Sequence, residues 1–208
     1  MEVYMSDKDQ IQAIKDWWKK YGTTIILSII IVLGVSFGWR YWHYYKNKQA
    51  EQASVLYEQM LSAKVTQKTT DFKLFAENLI KDYSSTPYAA LASLMLAKEA
   101  VDSKNLISAQ QNLQWIVKHA NNVSFKQIAR IRKARILLAQ KQFPQALQLL
   151  QHVDDKAFMP EISETIGDIY VAQSNNAKAL QEYKKALSGV AQNSITRPIL
   201  EMKINQIK

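Results

Sequence analysis

Two patterns of apolar and polar residues divide the chain. From Tyr21 to Trp39 every residue is uncharged, with Ile, Leu and Val filling most of the run, and Lys20 and Arg40 fence its ends. Beyond Lys46 apolar residues instead recur at three- and four-residue spacing, in segments of about ten to sixteen residues, the length of ordinary globular helices.

The first pattern predicts a membrane-spanning helix. At about 1.5 Å per residue, residues 22–41 reach roughly 30 Å, the thickness of a bilayer's hydrocarbon core. Trp17, Trp18 and Tyr21 stand at one end and Trp39, Tyr41, Trp42, Tyr44 and Tyr45 at the other. Amphipathic rings favour the headgroup layer, so two such belts bracket one span. A cleaved signal peptide is disfavoured by Glu2, Asp7, Asp9 and Asp16 in the leader and by bulky Trp39 after the small-residue stretch Ser36-Phe37-Gly38. Lys15, Lys19 and Lys20 balance Arg40, Lys46 and Lys48, so charge does not set the orientation. The expected division is a short segment at 1–20, a transmembrane helix with its belts at 21–45 and a globular domain at 46–208.

The second pattern predicts an all-α domain. Breaks fall at 66–70, 84–87, 103–105, 121–124, near Pro144, before Pro160, at 174–176 and at 189–196, and Pro87, Pro160 and Pro198 suit first turns, where a missing amide hydrogen costs nothing. Near the C-terminus Ile166, Gly167 and Tyr170 are followed by Ala179, Tyr183 and Ala186. That is tetratricopeptide spacing, in which a small residue lets paired helices close up. Weaker copies run through Leu96, Ala97, Ala100, Ala109, Leu113 and Ile116, and through Ala134, Leu137, Ala146, Leu150 and Val153, with Lys133 where an apolar residue is expected. An extra helix pair is expected at 48–63 and 71–83, the first continuing from the membrane helix. A closing helix with Pro198, Ile199, Met202 and Ile207 would cover the last repeat, as solenoids require.

In this register the first helix of each repeat lines a groove through Leu91, Leu94, Lys98 and Val101, then Ile128, Ile131, Arg135 and Leu138, then Glu161, Glu164, Asp168 and Val171. Leu91, Leu94, Ile128 and Ile131 are expected to contact an extended or unfolded segment of another protein, unless a helix of the same chain covers them. Arg135 is expected to form an ion pair with Glu164 or Asp168, whereas Lys126, Arg130 and Lys133 read as a solvated face and Asp154 and Asp155 as a solvated turn. Within the span Gly34 and Gly38, four apart, make a groove that suits close packing of a second membrane helix.

Composition narrows the function. Cysteine is absent, which removes disulfides and thiolate chemistry. The net charge of +9 lacks the concentrated stripe and stacking aromatics of a nucleic-acid site, and scattered lysines suit anionic membrane lipid instead. His43, His119 and His152 are far apart and lack partners at metal-ligand spacing, and no phosphate loop or nucleophile elbow is present. A non-enzymatic role without cofactor or metal follows.

Several segments together resemble a known family: Asp9-Gln10 with Ala13-Ile14-Lys15 and Trp17-Trp18, then Gly38-Trp39-Arg40-Tyr41-Trp42, Tyr88-Ala89-Ala90-Leu91-Ala92-Ser93-Leu94, and Met202-Lys203-Ile204-Asn205. In this order they resemble the YfgM family of ancillary SecYEG translocon subunits, over nearly the whole chain. The resemblance implies a single-pass bacterial inner-membrane protein, type II, with a cytoplasmic N-terminus and a periplasmic tetratricopeptide-like domain. It further implies association with the SecYEG translocon and the membrane-anchored periplasmic chaperone PpiD, and help for nascent secreted proteins on their way to periplasmic chaperones. Rival readings are a scaffold for another envelope complex and a regulator that docks a cytoplasmic protein through Ile11, Ile14, Trp17 and Trp18.

Overall fold

A computed structural model describes residues 7–207, and among these every regular element is helical. The helices are α1 (Asp7–Val65), α2 (Thr69–Asp82), α3 (Pro87–Asp102), α4 (Leu106–His119), α5 (Val123–Ala139), α6 (Phe143–Gln151), α7 (Met159–Ala172), α8 (Asn176–Gly189) and α9 (Arg197–Gln206). A short 3-10 turn (Lys156–Phe158) precedes α7. The part of the predicted 1–20 segment before Asp7, including Glu2, lies outside the described residues. Two compact units part after Lys48.

In the first unit α1 is long and apolar enough to cross a membrane, and its best 18-residue window has a mean hydropathy of 2.0 with 6% of it buried. A core helix of that hydropathy would be covered, because apolar surface is expelled from water. Here Ile26, Leu27, Ile30, Val32, Leu33 and Phe37 all face outward. The aromatic belts form local clusters: Trp17 packs on Trp18 and Tyr21, and Trp39 on Trp42 and His43.

The second unit is a row of helical hairpins. Ala53, Met60 and Ala63 of α1 pack with Phe72, Ala76 and Leu79 of α2 and with Ala92 of α3. The next layer joins Leu94 and Ala97 of α3, Ala109 and Leu113 of α4, and Ala129 and Ile136 of α5. A third joins Ile131 and Ala134 of α5, Leu150 of α6, and Ile162 and Ile169 of α7. Finally Ala179, Tyr183 and Ala186 of α8 bury Leu200 and Ile204 of α9. Each hairpin therefore hides an apolar face that it cannot hide alone, which is the logic of a solenoid.

The repeat is written in the backbone. Gln67, Lys104, Lys141 and Ser174 have φ of 57° to 59°, and they lie 37, 37 and 33 positions apart. Each ends the first helix of a hairpin, and the next amide reaches back five residues: Lys68 to Ala63 O, Asn105 to Ala100 O, Gln142 to Leu137 O and Asn175 to Tyr170 O, at 2.7 to 2.9 Å. This is a left-handed helix stop that satisfies otherwise orphaned carbonyls. Asn105 and Asn175 then cap the helices that follow these stops, and Asn122 caps α5, their side-chain oxygens accepting backbone amides of the first turn.

Five residues after each left-handed residue stand Phe72, Ala109, Ala146 and Ala179, all fully buried. The pair α1 and α2 is thus a fourth copy of the repeat, with Phe72 in place of the anchor alanine. In the last repeat a Cβ on Gly167 would meet the Tyr183 ring at 2.5 Å, so only glycine permits this approach of α7 and α8. The closing helix differs in its buried face from the sequence expectation. Leu200 and Ile204 are buried, with Ile207 packed beside them, whereas Ile199 and Met202 face solvent.

Candidate functional site

The residues expected to line one groove separate into three environments. An open cleft of about 440 Å³ lies among α3, α4 and α5. Its walls include Leu94, Lys98 and Val101 from α3 and Arg132, Arg135 and Ile136 from α5, and Leu106 and Leu113 of α4 form its floor. The interior is almost wholly apolar, and the three cations are solvent-exposed. Of the residues expected from sequence to line the groove, Leu94, Lys98, Val101 and Arg135 line this cleft.

Ile131 does not. It is fully buried between α5, α6 and α7 and is a core residue. The reason is register: at about 100° per residue, residue 131 stands roughly a quarter-turn round α5 from the mean direction of Arg132, Arg135, Ile136 and Ala139, which face the cleft, and it packs instead with α6 and α7. Ile128 is half-buried against the α3–α5 core, and Leu91, also half-buried, lies outside the cleft lining. Leu138 packs against the third core layer.

Glu164 and Asp168 are occupied from within the chain. Lys203 Nζ of α9 donates to Glu164 Oε1 at 2.7 Å and to Asp168 Oδ1 and Oδ2 at 2.7 and 3.0 Å, and Tyr183 OH donates to Asp168 Oδ1 at 2.7 Å. Burial alone would lower the Lys203 ammonium, but its bonds to the two carboxylates hold it above the ordinary lysine value. Burial, with the Asp168 carboxylate accepting its proton, pushes the Tyr183 phenol far up. The acidic end of the expected groove is therefore a packed junction that fastens the closing helix.

Arg135 pairs with Glu161, at 3.1 Å, rather than with Glu164 or Asp168. Both partners are about two-fifths exposed, so the pair is exchangeable. Arg135 also lines a second cavity, of about 580 Å³, with Phe158, Glu161, Glu164, Ile199 and Leu200. It stands where the two cavities meet. Arg132 has no ion pair among the described residues.

Two polar features differ from their sequence reading. Asp154 and Asp155 form a clamp rather than a solvated turn: Arg130 binds Asp154, Ser124 Oγ donates to Asp155 Oδ2 at 2.7 Å, and the Asp154 amide donates to Gln127 Oε1 at 2.7 Å. Gln127 is completely buried. Burial pushes the Asp154 carboxyl up, but Arg130 and His152 beside it bring it below the ordinary carboxylate value. Arg130 thus leaves the expected basic face. Lys133 is half-buried and donates to Gln114 Oε1 at 2.6 Å, which accommodates a charge where the repeat expects an apolar side chain. Burial, with Lys118 and Arg130 nearby, lowers its ammonium.

Gly34 and Gly38 have nothing within 4 Å of a Cβ built on them, so their face of α1 is open. Among the described residues no cluster of His, Asp and Glu is arranged to hold a metal ion.

A helix fit to cross a membrane and a domain of left-handed-stop helical hairpins with an inner cleft define a tetratricopeptide-like protein with a candidate membrane anchor. The chain belongs to the family described as tetratricopeptide repeat-like domain, whose model matches residues 15–208. Over its full length it is 28% identical to a Haemophilus influenzae protein named ancillary SecYEG translocon subunit, covering all of that protein. Proteins of the same name from Escherichia coli and Neisseria gonorrhoeae are 26% and 27% identical, again with all of this chain aligned and 99% and 100% of theirs. These relatives agree with the family resemblance carried by the aromatic and helical motifs. No solved structure matches the chain.

Proposed function

We propose that this protein is a non-enzymatic, membrane-tethered adaptor that works beside the SecYEG translocon. The observation that carries the reading is the bare apolar stretch of α1 in one chain with a cleft-bearing hairpin domain, in a protein similar from end to end to ancillary SecYEG translocon subunits. The span at 21–45 anchors the chain in the bacterial inner membrane, with 1–20 in the cytoplasm and 46–208 in the periplasm. The cleft holds extended segments of nascent or unfolded secreted proteins and passes them toward periplasmic chaperones, with PpiD as the partner that the family resemblance implies.

The mechanism is proximity. Anchoring confines the domain to the place where chains emerge, and effective concentrations in the millimolar range, of the order that short tethers give, make weak contacts sufficient. The open face at Gly34 and Gly38 is the surface for packing against a partner's membrane helix.

Photocrosslinking groups placed at Val35 in the span and at Val101 in the cleft test the reading in intact cells. Crosslinks from Val35 to translocon subunits and from Val101 to many secreted proteins are expected. A single folded partner at Val101 would instead favour a scaffold for another envelope complex.

A further inference from the structure

The rim of the cleft is charged in one sense while its interior is apolar. Lys98, Arg132 and Arg135 surround an opening floored by Leu106 and Leu113. Lys98 is held by Asp102 of its own helix at 2.7 Å and Arg135 by Glu161 at 3.1 Å, both at exposed positions where such pairs contribute little. Arg132 has no carboxylate partner among the described residues. It lies three residues from Arg135, so the two guanidinium groups are neighbours on one helix face.

We propose that the cleft selects segments in which an aliphatic or aromatic side chain is flanked by an aspartate or glutamate. This rests on the reading of the cleft as a site for unfolded chain and names the chemistry it prefers. The apolar side chain enters among Leu94, Val101 and Ile136, where it leaves water. The flanking carboxylate takes the paired guanidinium groups of Arg132 and Arg135, whose planar forks suit bidentate binding. Glu161 is then a competitor: it already occupies the position on Arg135 that the ligand's carboxylate needs. The chain's net charge of +9 draws such acidic segments toward it.

Glu161 as competitor gives substitutions of opposite sign. The probe is a fluorescein-labelled nonapeptide with central Leu and Phe and two flanking Glu, compared with the same peptide carrying Gln, measured by anisotropy on the full chain in nanodiscs. The Glu peptide is expected to bind about five-fold or more tightly than the Gln peptide. Arg132→Gln and Arg135→Gln should remove most of that preference, whereas Glu161→Gln should tighten the Glu peptide about two- to three-fold and leave the Gln peptide unchanged. All three side chains lie at the surface, and unfolding curves matching the parent confirm that the fold is kept.

Equal binding of the two peptides overturns the charge preference and leaves the cleft as a general site. A preference that survives both arginine substitutions also overturns it. If neither peptide binds, both this inference and the reading beneath it fail. Self-association abolished by Val101→Glu would make a second copy the occupant and likewise overturn the proposal.

Discussion

Gly167 of α7 lies directly under the ring of Tyr183 of α8, so close that a single added carbon would stand 2.5 Å from Cδ1 and Cε1 of that ring. Tyr183 is itself fixed, since its hydroxyl donates to Asp168 and Ala179 and Ala186 bury its flanks. Gly167→Val should therefore lower unfolding free energy by about 1–3 kcal/mol, the usual cost of overpacking, despite better helix propensity. Urea unfolding followed by circular dichroism checks this, and an unchanged midpoint would mean the two helices can part freely.

The left-handed residues at the hairpin stops make an opposite prediction. Lys104 and Lys141 hold φ of 59° with side chains that disfavour it. Glycine removes a cost of about 1–2 kcal/mol but enlarges the unfolded ensemble by up to about 1 kcal/mol. Lys104→Gly and Lys141→Gly should each raise stability by about 0.5 kcal/mol, additively because they lie in different hairpins.

Lys203 fastens the closing helix to two carboxylates. Lys203→Met would leave Glu164 and Asp168 close together without their cation, at a cost of about 1–3 kcal/mol for these part-buried groups. Hydrogen exchange should accelerate first in α9 and in the second half of α8. Uniform acceleration across all the hairpins would show that α9 is not a separate closing unit.

Acid should loosen the clamp at the α6–α7 junction. Asp154 is held below its ordinary value of about 3.9 in the fold, so its contribution is present above that pH and is lost as pH falls through the lower, folded value. Asp154→Asn should lower stability at pH 7 and flatten its decline below about pH 4. An unchanged acid limb would assign that decline to other carboxylates.

The chain's turn residues made most of the architecture readable. Asn, Ser and Pro at the hairpin boundaries mark stops and caps by local chemistry that tertiary packing does not override. The first hairpin went unrecognised as a repeat because Phe72 fills the place of the anchor alanine, although its five-residue offset from Gln67 matches the other three. The cleft was legible at Leu94, Lys98 and Val101 of α3 and at Arg135 of α5, but Leu91 lies outside it. Ile131 of α5 was misplaced, because the choice between Ile131 and Arg132 is a rotation of one residue that spacing alone does not fix. Lys203 carries no local signal of its role in fastening α9. Its partners lie 35 and 39 residues away, and no local pattern reveals a contact across that distance.

The central claim, that the cleft meets polypeptide emerging from the translocon, is tested most directly by a photocrosslinking residue at Ala139 of the full chain. Membranes containing SecYEG and a secreted protein arrested partway through the channel provide the setting. The account predicts a crosslink to the arrested chain that disappears when translocation is completed or never begun. A crosslink to one folded partner regardless of translocation, or none to the arrested chain, would contradict it.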